Sequence, residues 1–382
     1  MTDAPIPFGK PMLDRPVFDA VNEVLESGIL VHGQVTPAFE EAFAARIGAK
    51  HAVAVSSCTA GLHLVLFVNG VGPGDRVAVP AMTHVATAHV VELQGAEPVF
   101  VDVDPATGNM DADLLAAVDG PLKAVMPVHY LGLPCAMDAI NEAAAAKGAF
   151  VLEDCALAVD AVYGTKKAGT LGLAGAFSFY PVKHMTSIEG GMVTTDDEEL
   201  ATQLRKRRAF GYNRMLGERA RPGIYDVDAL GFNYRMSEVE AAVGLKQLDQ
   251  LDGFMAARAK NAETLHAALS EIDGVTAFPL EHGPARSSFY CLNAVLPRDG
   301  SVDRDKVVDG LKARGIGSSI HYPGPVPLFT YYSEKYGYRR GDFPVAEWLA
   351  DQTISLPVGP HLGEEGAGRI ADAFRAAYDD AR

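Results

Sequence analysis

Between residues 52 and 195, short apolar runs alternate with stretches whose apolar residues recur at helical spacing. This alternation constrains the fold more than any other feature. It predicts strands over 52–56, 76–80, 98–103, 123–128, 150–153, 176–180 and 192–195. It predicts helices over 59–68, 85–94, 111–118, 137–147 and 197–209, two of them closed by Gly95 and Gly148. Strands that alternate with helices call for an α/β fold, a mostly parallel sheet covered on both faces. In such sheets ligands gather at the carboxyl ends of the strands.

Two helices precede this block. One covers 14–26 and stops at Ser27-Gly28; the other starts at Thr36-Pro37, with Thr36 as its cap, and ends at Gly48. After the block, 210–225 is rich in Gly, Arg, Asn and Pro and reads as a long loop of the kind that carries function. A helix over 237–251 leads out of the first domain. From 252 the order is a helix, strands near Val275 and over 289–296, a helix over 302–313, a Gly/Pro-rich passage over 315–327, and helices near Val345 and Glu364. The expected division is a large domain over 1–251 and a smaller α+β domain over 252–382.

Four segments at expected strand ends carry chemistry. Val55-Ser-Ser-Cys58-Thr59-Ala is a tight turn of small residues into a helix. Its backbone N–H groups suit an anion, although a plain strand-to-helix turn has the same pattern. Asp154 closes a buried strand, where a carboxylate needs a positive partner or serves as a cap. Ser178 and Lys183 follow the strand over 176–180, which Pro181 is expected to end. An enclosed lysine loses its charge more easily than one in water and becomes a nucleophile toward carbonyls, whereas an isolated lysine snorkels. Asn233 and Arg235 lie between the long loop and a helix that Ser237 would cap. Phosphate cradle, buried carboxylate, serine and lysine, in that order, suggest pyridoxal 5'-phosphate, whose ring nitrogen the carboxylate would keep positive and whose aldehyde the lysine would hold.

The formal charge of −16 opposes binding to nucleic acid and to anionic membranes. No apolar run approaches a membrane span, and the N-terminus lacks a signal-peptide pattern, so a cytoplasmic enzyme is expected. Cys58, Cys135, Cys155 and Cys291 form no Cys-x-x-Cys pair and read as reduced thiols, with no metal site. The run Arg205-Lys-Arg-Arg208, with Arg214 nearby, reads as a solvated helix face or as an attractor for an anionic substrate.

Read in order, Ser57-Cys-Thr-Ala60, Pro80-Ala-Met-Thr-His-Val-Ala-Thr-Ala88, Glu153-Asp154, Ser178 to Gly191, Asn233-Tyr-Arg235, His321-Tyr322 and Ser355-Leu-Pro357 closely resemble the DegT/DnrJ/EryC1/StrS family of sugar aminotransferases. The likeness covers nearly the whole chain and implies the type I, aspartate-aminotransferase fold. It implies that Lys183 holds the cofactor as a Schiff base, that Asp154 pairs with the pyridine nitrogen, and that Cys58, Thr59 and Ser178 hold the phosphate. His84 would stack on the cofactor face, a position where a core or capping histidine is also possible. Asn233 would reach the neighbouring subunit's phosphate in a homodimer with shared sites. Glu189, Arg235, His321 and Tyr322 would lie near the substrate.

Three departures stand out. Cys58 replaces the usual glycine, Leu157 replaces a polar residue that bonds the ring hydroxyl, and Pro325-Val-Pro327 replaces Pro-Leu-His. The expected reaction moves an amino group from an amino acid such as glutamate to a ketone on a nucleotide-linked sugar, or on a cyclitol. Sugar dehydratases of the family carry histidine in place of the lysine; here Lys183 is retained and only His184 matches. A regulator that has kept the fold would need a broken site, yet Lys183, Asp154 and Ser178 are all present.

Overall fold

The computed structural model describes residues 4–213 and 224–382; Arg214 and most of the expected 210–225 loop lie outside the described residues. Seven strands form the main sheet, ordered as those beginning at His51, Gly191, Ala174, Phe150, Ala124, Arg76 and Glu97. Six of the seven run the same way. Gly191–Thr195 is the exception and pairs antiparallel with both His51–Val55 and Ala174–Ser178. Nearly every residue of these strands is buried, as helices on both faces require.

This topology places the carboxyl ends of the strands on one edge. There the chain leaves the sheet at Ser56, Ala81, Val128, Cys155 and Phe179, so all the expected site segments except 233–235 converge. Gly191 begins the antiparallel strand on the same edge. A Cβ on it would lie 2.5 Å from the carbonyl carbon of Ser57 and 2.6 Å from the nitrogen of Cys58. Only glycine lets that strand pass so close behind the Ser57–Cys58 turn.

A second body packs beside this edge. Thr276–Ala277, Cys291–Val295 and Thr353–Pro357 form an antiparallel sheet, covered by helices Leu251–Ser270, Arg304–Ala313 and Gly366–Ala381. Its core holds Leu265, Leu292, Leu311, Ile354, Ile370 and Phe374. The N-terminal segment joins it through Ile6, which exchanges backbone hydrogen bonds with Gly315 and Gly317. That anchor delivers Phe8 to the edge of the main sheet.

Several local expectations change, among them the strand expected over 123–128, which is formed only at Ala124–Val125. The strand expected over 176–180 is Ala174–Ser178, ending three residues before Pro181 because Phe179 turns to pair with Gly190 and Ser187. Thr36 lies inside helix Val35–Ile47, and its hydroxyl donates to buried Glu238 at 2.6 Å. A tertiary acceptor has taken the side chain that local pattern assigned to a cap.

Candidate active site

A cavity of about 560 Å³ opens at the carboxyl edge of the main sheet. Its wall includes Cys58, Thr59, His84, Asp154, Leu157, Ser178, Lys183, Glu189, His321 and Tyr322, so segments from both ends of the chain share one space. Asn233 and Arg235 are outside it. Asn233 is exposed, and Arg235 donates to its side chain at 3.0 Å, contacts His32 and lies over the Phe210 ring.

Ser57 caps helix Cys58–Val68 by accepting from the nitrogen of Ala60. The N–H groups of Cys58 and Thr59 are in the first turn, where no carbonyl of the helix precedes them, and they belong to the cavity wall. Together with Ser178 they form a cradle suited to a dianion. The Cys58 thiol sits 3.9 Å from Asp154 Oδ1 and 3.4 Å from the carbonyl of Ala176. Burial, then the nearby Asp154 carboxylate, push this thiol well above its ordinary pKa, so it is a protonated donor and not a nucleophile.

Asp154 ends strand Phe150–Asp154 with its carboxylate buried. Thr87 donates its hydroxyl to Oδ2 at 2.8 Å, and the Ala156 nitrogen donates to Oδ1 at 3.1 Å. The Thr83 hydroxyl is 2.9 Å from that of Thr87. Because Thr87 spends its proton on Asp154, Thr83 is the donor of that pair. Sequence reasoning missed both threonines, although they lie in the quoted segment Pro80–Ala88.

Lys183 follows a turn in which its nitrogen bonds the carbonyl of Tyr180. Its amine lies 5.0 Å from the ring centre of Tyr290, a residue the sequence did not single out. Among the described residues the amine makes no hydrogen bond. Burial lowers its pKa, with Cys58 and Asp154 opposing that shift. A free, partly desolvated amine facing a held carboxylate across one cavity is what imine chemistry on a pyridine aldehyde requires.

His84 caps helix Val85–Leu93, its Nδ1 accepting from Ala86, while its ring stays in the cavity wall 6.2 Å from Tyr322. Capping and a place beside the ligand are therefore compatible. His321 Nδ1 contacts the Ser355 hydroxyl at 2.9 Å, and burial lowers its pKa to about 4, so it is neutral at physiological pH. Leu157 is 3% exposed and presents an apolar side chain to the cavity. The basic run is tied down: Arg205 and Arg208 meet Glu40, Lys206 meets Asp228, and Arg207 reaches the Leu230 carbonyl.

Similarity to known proteins agrees with this geometry. The solved structure of the aminotransferase TlmJ from Streptoalloteichus hindustanus superposes with a TM-score of 0.91 at 34% identity, covering 99% of this chain and 100% of that one. Related structures exist in pyridoxal and pyridoxamine phosphate forms. Fold and site thus define a pyridoxal-phosphate-dependent aminotransferase of the type I fold.

Within that class, the model of the DegT/DnrJ/EryC1/StrS aminotransferase family matches residues 11–375, and the chain belongs to this family. It is 39% identical over 376 residues to the spore coat polysaccharide biosynthesis protein SpsC of Bacillus subtilis, covering 97% of this chain and 96% of that one. It is 37% identical over 381 residues to GDP-perosamine synthase of Caulobacter vibrioides, covering 98% and 99%. No described helix is long and apolar enough to cross a membrane.

Proposed function

We propose that this enzyme moves an amino group from an amino acid, with glutamate as donor, to the keto group of a nucleotide-linked sugar. The observation that carries the choice of acceptor is the cavity wall. Among its described residues are Tyr180, Tyr290, Tyr322, His84, His321, Ser178 and Ser319. Hydroxyl and imidazole groups with aromatic faces suit a neutral, polyhydroxylated ring. The relative named for GDP-perosamine supports a nucleotide-linked acceptor.

The cofactor supplies an aldehyde for imine formation and a ring that accepts electrons. Lys183 would hold it and, once freed by the donor amine, would carry a proton between carbon atoms on the same face. Asp154, fixed by Thr87 and Ala156, would keep the ring nitrogen positive. The N–H groups of Cys58 and Thr59 and the Ser178 hydroxyl would hold the phosphate, with His84 against the ring. Glu189, His321 and Tyr322 would meet the substrate.

The enzyme acts as a homodimer in this reading. Leu30, Val31, Val227 and Leu230 are exposed, the Leu30 carbonyl accepts from Glu238, and a cleft of about 190 Å³ joins Val31 and His32 to Arg235. An apolar face beside exposed Asn233 suits a second copy, which would receive Asn233 at its phosphate. We retain the domain division at 251/252 and a cytoplasmic location as parts of the same proposal.

The test is a screen of the glutamate-loaded enzyme against nucleoside-diphosphate keto-hexoses and inososes, with products weighed by mass spectrometry. An aminated nucleotide sugar is expected. An aminated inosose would move the acceptor to the cyclitols, and a deoxygenated sugar would make the enzyme a dehydratase.

A further inference from the structure

Arg258 lies on helix Leu251–Ser270 and is 5% exposed, yet among the described residues it has no carboxylate partner. Its two terminal nitrogens donate to carbonyls, and its Nε has no partner among the described residues. Nη1 donates to those of Phe289 at 3.2 Å and Tyr290 at 3.0 Å, and Nη2 donates to that of Lys183 at 3.2 Å. Burial brings its pKa down to about 10, so it remains charged at neutral pH. Three further observations gather at this point. The ring of Tyr290 is the one that lies 5.0 Å from the Lys183 amine. Phe289 has φ of 57°, a left-handed conformation that is strained for a bulky side chain and needs external support. His184, next in sequence to Lys183, contacts the Ser288 carbonyl through Nε2 at 2.9 Å, so the 183–184 turn is joined to 288–290 twice.

Burying a cation without a counterion is costly; three bonds from Nη1 and Nη2 to main-chain carbonyls offset part of that cost here, while Nε has no partner among the described residues. A planar fork of five N–H groups can reach carbonyls from two chain segments at once, which an ammonium on a flexible stem does poorly. We propose that Arg258 is a positioning residue for the nucleophile. It binds the backbone of Lys183 to that of Phe289 and Tyr290, and so fixes the lysine amine against the tyrosine ring at the cavity wall. The proposal rests on the reading of Lys183 as the lysine that holds the cofactor. It adds that the aim of this amine is set from the C-terminal body, not only by its own turn.

The experiment compares holoenzyme of wild type, Arg258→Met and Arg258→Lys. Borohydride reduction and peptide mass spectrometry first locate the cofactor. Label on Lys183 in wild type and in both variants is expected, because Arg258 is not among the residues of the cavity wall. The pH titration of the cofactor absorbance follows. Arg258→Met is expected to move its midpoint, since the Lys183 turn loses its tie to residues 289 and 290, and Arg258→Lys, which lacks the planar fork, is expected to restore only part of the shift. In the half-reaction with glutamate, Arg258→Met is expected to slow kcat roughly tenfold or more with KM nearly unchanged, as misaimed groups do. A wild-type titration and kcat in Arg258→Met, with only a lower melting temperature, would overturn the proposal. If Arg258→Met does not fold, Arg258→Lys decides: a wild-type midpoint and kcat there also overturn it, because one ammonium should not bridge the two segments as the fork does. Absence of label on Lys183 in wild type overturns the reading of the site itself, and the proposal with it.

Discussion

Glu153 and Asp154 are adjacent, both buried, and on opposite faces of one strand; their substitutions are expected to have opposite consequences. Glu153 Oε1 accepts from Leu171 at 2.7 Å and Gly172 at 2.8 Å, while Oε2 accepts from Gly169 at 2.8 Å and lies 2.9 Å from His129 Nε2. His129 Nδ1 accepts from the Cys135 nitrogen at 3.2 Å, so the imidazole proton sits on Nε2 and makes a fourth donor. Glu153→Gln keeps the shape but replaces one acceptor oxygen with an amide donor. Whichever way the amide turns, two donors face it and two bonds to a charged acceptor are lost. At about 1.5–3 kcal/mol for each such bond, the variant loses about 3–6 kcal/mol, a large part of the stability of an ordinary domain. Asp154→Asn keeps an acceptor for Thr87 or Ala156 and leaves the 169–172 loop untouched. It is expected to fold with a near-normal urea midpoint but to lose the hold on the ring nitrogen, and with it more than 99% of turnover. Urea unfolding followed by circular dichroism, beside single-turnover absorbance with glutamate, measures both. A Glu153→Gln protein within about 1 kcal/mol of wild type would refute the hydrogen-bond reasoning. An active Asp154→Asn protein would refute the role proposed for that carboxylate.

Other expectations follow from the same wall. Leu157→Gln would offer the ring oxygen a donor, weakening its hold on the neighbouring proton; one hydrogen bond corresponds to a downward shift of roughly 0.4–1.1 pH units in the cofactor absorbance titration. No shift would mean that another group already bonds that oxygen. His321 is held neutral to about pH 4 by burial, whereas it titrates near 6.5 when unfolded. Its folded pKa is the lower one, so the unfolded state takes up the proton first as pH falls. Stability is therefore full above about 6.5 and decreases by about 3 kcal/mol on the way to pH 4. His321→Asn should remove that part of the acid sensitivity, as measured by urea midpoints across the range. Shared sites predict that co-expressed Lys183→Ala and Asn233→Ala chains, each inactive alone, regain about a quarter of wild-type activity by forming heterodimers with one intact site. No recovery would place Asn233 outside the neighbour's site.

The parts of this molecule that were legible in the sequence are those whose physics is local. Buried parallel strands read as apolar runs, and the turn after each strand is short, so Cys58, Asp154, Ser178 and Lys183 carry their position in their immediate neighbours. Even there, pairing partners moved an end: the strand expected to reach Tyr180 stops at Ser178 because Phe179 bonds Gly190 and Ser187 across the turn. Thr87, Tyr290 and Arg258 had no such signal. Thr87 is an ordinary helical threonine until Asp154 arrives from 67 residues away. Tyr290 falls at the start of the strand expected over 289–296 and lies just before the observed Cys291–Val295, with nothing in its neighbours to mark it, and Arg258 looks like one more charge on a long helix. The short strands 162–163, 166–167, 281–282 and 285–286 are too brief to show any period, and they exist because they pair with one another.

This division has a physical consequence for the site. The groups expected to meet the cofactor stand at the ends of the main sheet, where local sequence sets them. The groups that aim them come from elsewhere: Thr83 and Thr87 for Asp154, Arg258 and Tyr290 for Lys183. A carboxylate and an amine can be placed within one cavity by strand topology alone, but topology leaves each free to rotate. Two hydroxyls on one side and a buried guanidinium on the other remove that freedom without adding a charge to the cavity wall itself. Substitutions among these supporting residues should therefore change rate constants and absorbance titrations before they change which molecule is bound.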